Sequence, residues 1–215
     1  MASAEALEEL ATHIRQGLAE GFESPEAVSE RAVKIVSDEH DDPDLANAAR
    51  AILTKLLAEQ KDEQRSWPAV TDCDRLDAAF EQLNAMGIMA RHHWTCCSNC
   101  ARAEMPDEFN RIGGEWQGVP IIGYVCYHQQ DTESAVEGYG VYLGYGSTER
   151  APSEQVYEAQ CLKVAQTAID VLVSRGLKVT WDGTYQKKPH VSLRWQRRSR
   201  PPRFCGDDGF TGTNC

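Results

Sequence analysis

Hydrophobic positions recur at helical spacing through the first third of the chain. Leu7, Leu10, Ala11, Ile14 and Leu18 mark one face, and Gly21 ends the run. Ser24-Pro25 opens a second helix, a capping side chain followed by proline at the first helical position, with Val28, Ala32, Ile35 and Val36 inward. Asp42-Pro43 repeats that start signal ahead of Leu45, Ala48, Ala49, Ile52 and Leu56. Each stripe has to bury against something, so residues 1–66 are expected to form an acidic segment of three helices. Its plain reading is a packing module. Its sharper reading is a surface for a protein partner. Trp67-Pro68 breaks the pattern, because the residue before a proline is pushed out of the helical region.

The next pattern mixes both periods. Thr71-Asp72-Cys73-Asp74 offers capping oxygens and carboxylates to the positive end of a helix that buries Leu76, Ala79, Phe80 and Leu83 and stops at Gly87. Ile88 to Thr95 alternates as a strand, which sends His92 and His93 to opposite sides. The segment from Cys96 through Gly113-Gly114 reads as a polar connection. Ile121 to His128 is an apolar strand, and Gly138 to Ser147 is a second, interrupted by glycines. Pro152-Ser153-Glu154 starts a long helix with Val156, Val164, Ala168 and Leu172 inward. Leu177 to Trp181 and His190 to Trp195 then form strands around the Asp182-Gly183 turn. This order predicts an α+β domain over residues 67–198: a mostly antiparallel sheet with helices on one face, a ferredoxin-like variant. Residues 199–215 read as a flexible basic and glycine-rich tail, its end bracketed by Cys205 and Cys215.

Composition narrows the partners. The chain has 215 residues, 41% of them hydrophobic and 26% charged, which is ordinary globular composition. A formal charge of −11 disfavours nucleic acid and anionic membranes, since phosphates need a basic surface. The basic stretch from Lys187 to Arg203 reads as a solvated end that complements the acidic helices. No apolar run approaches the roughly 20 residues of a membrane span. The first residues lack a basic and apolar secretory leader, so a cytoplasmic location is expected. In that compartment eight cysteines read as thiols or metal ligands rather than as disulfides.

Three of those cysteines fall within five residues. Cys97 and Cys100 have the spacing that lets two thiolates hold one tetrahedral ion from a tight turn. Cys96 adds a third thiol, although adjacent side chains seldom reach the same ion. His93, Cys126 and His128 are the candidates to complete a zinc site, the last two sharing one face of the next strand. Cys73 is a more distant candidate. The plain alternative is a set of reduced thiols packed as small apolar groups, and thiol redox chemistry is a further one. A second constellation, His128, Asp131 and Glu133, has the groups of an acid–base site, against the simpler role of capping a helix.

Several strings taken together resemble a known family. Thr71-Asp-Cys-Asp-Arg-Leu-Asp77, Cys96-Cys-Ser-Asn-Cys100, His128-Gln-Gln-Asp-Thr-Glu133, Gly144-Tyr-Gly-Ser147, Trp181-Asp-Gly183 and Trp195-Gln-Arg-Arg198 are similar to an uncharacterised bacterial family, domain of unknown function 6891. The resemblance implies one architecture up to Arg198 and a bacterial source. It brings no activity with it.

Overall fold

The computed structural model describes residues 2–198, so Arg200, Arg203, Cys205 and Cys215 lie outside the described residues. The chain divides into two compact units: Met1–Ala69 joined by the stretch that returns from Gln196, and Val70–Trp195. Among the described residues no helix is long and apolar enough to cross a membrane.

The first unit is built from α1 (Ala4–Glu20), α2 (Pro25–Ser37) and α3 (Leu45–Gln64). Ser3 and Ser24 each accept a backbone N–H of the first turn, and Gly21 closes α1 in the left-handed conformation. Leu10, Ile14 and Leu18 meet Val28, Ala32, Val36, Ala49 and Leu56 in one core. Gly17 sets the spacing of α1 and α2: a Cβ there would come within 2.7 Å of Val28. Two expectations change in this unit. Ile35 is exposed, lying at the edge of the stripe rather than in it. Arg197, expected in solvent, is only 2% exposed, and its guanidinium lies over the Phe22 ring at 4.6 Å. A planar cation on an aromatic face can be buried where an ammonium would have to stay wet.

The second unit opens with α4 (Asp72–Ala85), started by a reciprocal capping box between Thr71 and Asp74. It continues as β1 (Ile88–Arg91), α5 (Ser98–Arg111), β2 (Glu115–Trp116), β3 (Val119–Pro120) and β4 (Gly123–Cys126). Then follow α6 (Gln129–Val136), β5 (Val141–Tyr142), β6 (Gly144–Ser147), α7 (Glu154–Ser174), β7 (Lys178–Thr180) and β8 (His190–Ser192). The fold is mixed α and β, with helices at the N-terminus as expected, but a ferredoxin-like sheet is not confirmed. The strands split into three small sheets ordered β1-β4-β6, β2-β3 and β5-β8-β7.

The physical reason lies between β1 and β4. They pair in parallel, Ile88 opposite Gly123 and Arg91 opposite Cys126, whereas β6 runs antiparallel to β4. A parallel pair needs a crossover, and α5 supplies it. Met89, Tyr124 and Cys126 on one face of this sheet pack with Ala101 and Met105 of α5. On the other face Gly123 lets Val164 of α7 approach, since a Cβ there would come within 2.5 Å of it. Helices therefore cover both faces, not one. The polar stretch expected to be a connection is the crossover helix.

One buried polar network fixes that helix. Arg91 donates to Glu108 at 2.6 Å, with both side chains under 5% exposed, and Arg111 donates to the second carboxylate oxygen at 2.7 Å. Arg91 also donates to Asn84, whose amide in turn pairs with the backbone of Ala90. Burial alone would raise the Glu108 carboxyl, but Arg111 and Arg91 outweigh it and hold the group below the ordinary carboxylate value.

Candidate functional site

The strand expected to reach Thr95 stops at Arg91. His93 and Thr95 have φ of 50° and 57°, in the left-handed region, so strand alternation does not govern the segment that follows. Its backbone is held against the chain leaving β4, with the Trp94 amide donating to Tyr127 and the Gln129 amide to Thr95. Cys97 is extended at φ −154° and caps α5, whose first turn carries Ser98, Asn99 and Cys100. A chain that passes from left-handed to extended to helical over four residues can bring neighbouring side chains together. It does so here.

The sulfurs of Cys96, Cys97 and Cys100 all lie within 4.8 Å of one another, and those of Cys96 and Cys100 are 3.2 Å apart. All three residues are half-buried. The expectation that adjacency removes Cys96 or Cys97 is therefore corrected. Ligands on a tetrahedral zinc stand about 3.8 Å apart, from Zn–S bonds of about 2.3 Å. The triad needs only small side-chain rotations to reach that spacing. No side-chain cap bond closes from Cys97. The amides of Cys100 and Asn99 nevertheless lie near enough, with the neighbouring thiols, to hold its thiol down to about 7.

The other candidate ligands stand outside this group. His93 places Nδ1 2.9 Å from the Thr132 hydroxyl. His92 is buried, stacked on Phe80 at 4.2 Å and bonded to the Tyr127 hydroxyl at 2.9 Å. Cys126 lies beneath α5, and burial pushes its thiol up to about 12, the wrong direction for a ligand thiolate. Cys73 is buried in α4. Elsewhere among the described residues, Glu9, Glu39 and His40 of the first unit are also within 4.8 Å of one another, two of the three only half-buried and Glu39 exposed.

His128 and Asp131 do meet, as partners in a helix cap. The Asp131 amide donates to Nδ1 of His128 at 3.2 Å, and the His128 amide donates to the Asp131 carboxylate at 3.1 Å. Accepting at Nδ1 leaves the proton of a neutral ring on Nε2, which faces Ser98 Oγ at 3.0 Å and the Asp131 carboxylate at 3.1 Å. A ring that already donates from Nε2 cannot take a proton from Ser98. Burial keeps His128 below the ordinary histidine value; the Asp131 carboxylate opposes this and the Lys188 ammonium adds to it. Glu133 is exposed on the outer side of α6.

Beside the triad opens a cleft of about 450 Å³, lined among others by Ser98, Arg102, Tyr124, Tyr145, Tyr185 and Lys188. It sits at the carboxyl ends of the parallel strands, where α/β units commonly bind ligands. Lys188 donates to Ser98 Oγ at 2.8 Å across 90 residues of sequence. Sequence reasoning read Lys188 only as part of a solvated basic end and gave Ser98, Arg102 and the three tyrosines no role. The only available signal was the exception at Lys187-Lys188, two cations at the end of a turn in an otherwise acidic chain.

Residues 3–199 match the family model described as a domain of unknown function, DUF6891, and the chain belongs to that family. No curated protein matches the chain, and no solved structure does.

Proposed function

We propose that this chain is a metal-binding protein of the bacterial cytoplasm in which Cys96, Cys97 and Cys100 hold zinc as thiolates. The convergence of three sulfurs within 4.8 Å at one helix start carries the reading. Three sulfur ligands leave one tetrahedral position for water, a substrate thiol or a side chain of a partner, unlike the closed four-ligand sites that only support folding. That open position favours a regulatory or interaction role. The three-helix unit is the surface we assign to a protein partner. It presents a formal excess of acidic residues and folds around its own core.

Elemental analysis of protein purified without added metal tests this directly. About one equivalent of zinc is expected, lost in a Cys97→Ser, Cys100→Ser double variant that keeps its helical signal. Less than about half an equivalent, unchanged in that variant, would sink the reading.

A second reading, thiol redox chemistry, is favoured by one contact, the 3.2 Å approach of Cys96 to Cys100. In it the two thiols would lose two electrons and two protons to an external disulfide, which is reduced to its thiols as the Cys96–Cys100 bond forms. Zinc at full occupancy in the protein as purified would count against it.

A further inference from the structure

We propose that the cleft beside the cysteine triad binds a small organic anion, a flat apolar body carrying one carboxylate or phosphate group. The inference does not rest on zinc, because none of the three cysteines lines the cleft.

Size comes first. At about 450 Å³ the cleft is far larger than a bound water or bare ion needs and falls within the roughly 300–1,000 Å³ of small-molecule sites. Its walls are then aromatic. Tyr124 lies flat on β6 because residue 146 is glycine; a Cβ there would meet the ring within 2.5 Å. Tyr145 stands edge-on to Tyr185 at 6.5 Å and to Trp181 at 6.0 Å. These faces suit a flat apolar group.

The wall that carries the cations is built in place. The Tyr145 hydroxyl lies 3.2–3.4 Å from the carbonyls of Thr184, Tyr185 and Lys187, and Trp181 donates to the Lys187 carbonyl at 2.9 Å. Asp182 accepts from the amide and hydroxyl of Thr184, closing the turn. The β7–β8 connection is thus pinned, and Lys188 is aimed across the mouth at Ser98.

The polar end then selects charge. An ammonium has three donors, and Ser98 takes one of those on Lys188. Ser98 accepts from Lys188 and faces the donor Nε2 of His128, so its own hydroxyl proton points to a further acceptor. An oxyanion beside them receives donors from both side chains. Glu154 and Glu158 of α7 also line the cleft. Like charge keeps a negative head away from these carboxylates and favours its seat beside Lys188. Arg102 and Lys187 add positive charge to the lining in a chain of net charge −11.

Titration of the full chain with benzoate, phenyl phosphate and benzylamine, followed by amide chemical shifts and tryptophan emission, tests the proposal. Saturable binding of benzoate or phenyl phosphate is expected, with shifts at Ser98, Tyr145 and Lys188. Preference for one over the other assigns the head group as carboxylate or phosphate. Lys188→Gln should weaken that binding about tenfold, the worth of one charge-assisted hydrogen bond. Lys188 is exposed, so this variant should keep the parent melting temperature, and Tyr124→Leu provides a second variant that removes a ring from the wall. Saturation by neither anion, equal binding of benzylamine, or anion binding indifferent to both substitutions overturns the proposal. Repeating the titration after chelator treatment separates it from the zinc reading: loss of metal should leave anion binding intact.

Discussion

Cys96 Sγ lies 3.2 Å from Cys100 Sγ, four residues along the chain. Two thiols at that distance without a metal between them are positioned for a bond. Mild oxidation of metal-stripped protein is expected to remove two hydrogens from the mass and link these two residues in a peptide map. Zinc added first should protect them, because a thiolate bound to metal is a poorer partner for exchange. Linkage through Cys97 instead would contradict the geometry.

In metal-stripped protein Cys97 should be the fastest of the six described cysteines to alkylate. Its thiol is held at about 7 by the amides of Cys100 and Asn99, while burial pushes Cys126 to about 12. The labelling rate at Cys97 should rise through pH 7 and flatten above it, since only the thiolate reacts. Mass-resolved pulse alkylation across pH reads this, and Cys126 should stay unlabelled until the protein unfolds.

Arg91 and Glu108 predict a large loss on one conservative change. Glu108→Gln leaves Arg91 buried beside a neutral amide, a broken buried pair worth roughly 3–5 kcal/mol, measurable in urea. The pH dependence follows from the sign of the shift. The folded carboxyl lies below its unfolded value of about 4.3, so its stabilisation is complete above that value and is lost as pH falls through the folded pKa. The variant should lack this part of the acid destabilisation.

Gly17→Val should destabilise the helical unit by about 1–3 kcal/mol, because the new side chain would meet Val28 where a Cβ alone comes within 2.7 Å. Thermal unfolding followed by circular dichroism measures it. Gly17→Ala should show a smaller loss of the same sign.

Tyr145→Phe removes one proton shared among three carbonyls of the β7–β8 connection. Only one strong bond is available from one hydroxyl, so the cost is about 1 kcal/mol. Faster hydrogen exchange at the Thr184 to Lys188 amides, with the rest of the unit unchanged, is the expected readout.

These contacts show where sequence reading reached and where it stopped. Helix starts and stops were legible because they are local: Ser24-Pro25, Thr71 with Asp74, and Gly21 carry their signals within four residues. The α5 helix was not, since its stripe is only Ala101, Met105 and Glu108 and it contains Pro106. Its inward glutamate looks like a surface residue until Arg91 is placed beside it. The end of β1 was missed for a related reason. Nothing in His92-His93-Trp94-Thr95 announces two left-handed residues, and β-period reading carried the alternation past Arg91.

The sequence by itself determined the three N-terminal helices, the family, and the concentration of cysteines at residues 96–100. Tertiary structure decided what that concentration amounts to. Parallel pairing of β1 with β4 requires a crossover helix, and that helix starts at the cysteines, so its first turn gathers all three sulfurs. The same pairing lays Cys126 under α5 and turns His128 into a cap, which keeps both out of the group the sequence had offered them to. Lys188 reaches Ser98 across 90 residues, a contact set by the closure of separate strands and by no local pattern. Spacing along a chain reports which side chains are neighbours within one element; which elements become neighbours is settled by the pairing and packing of the whole.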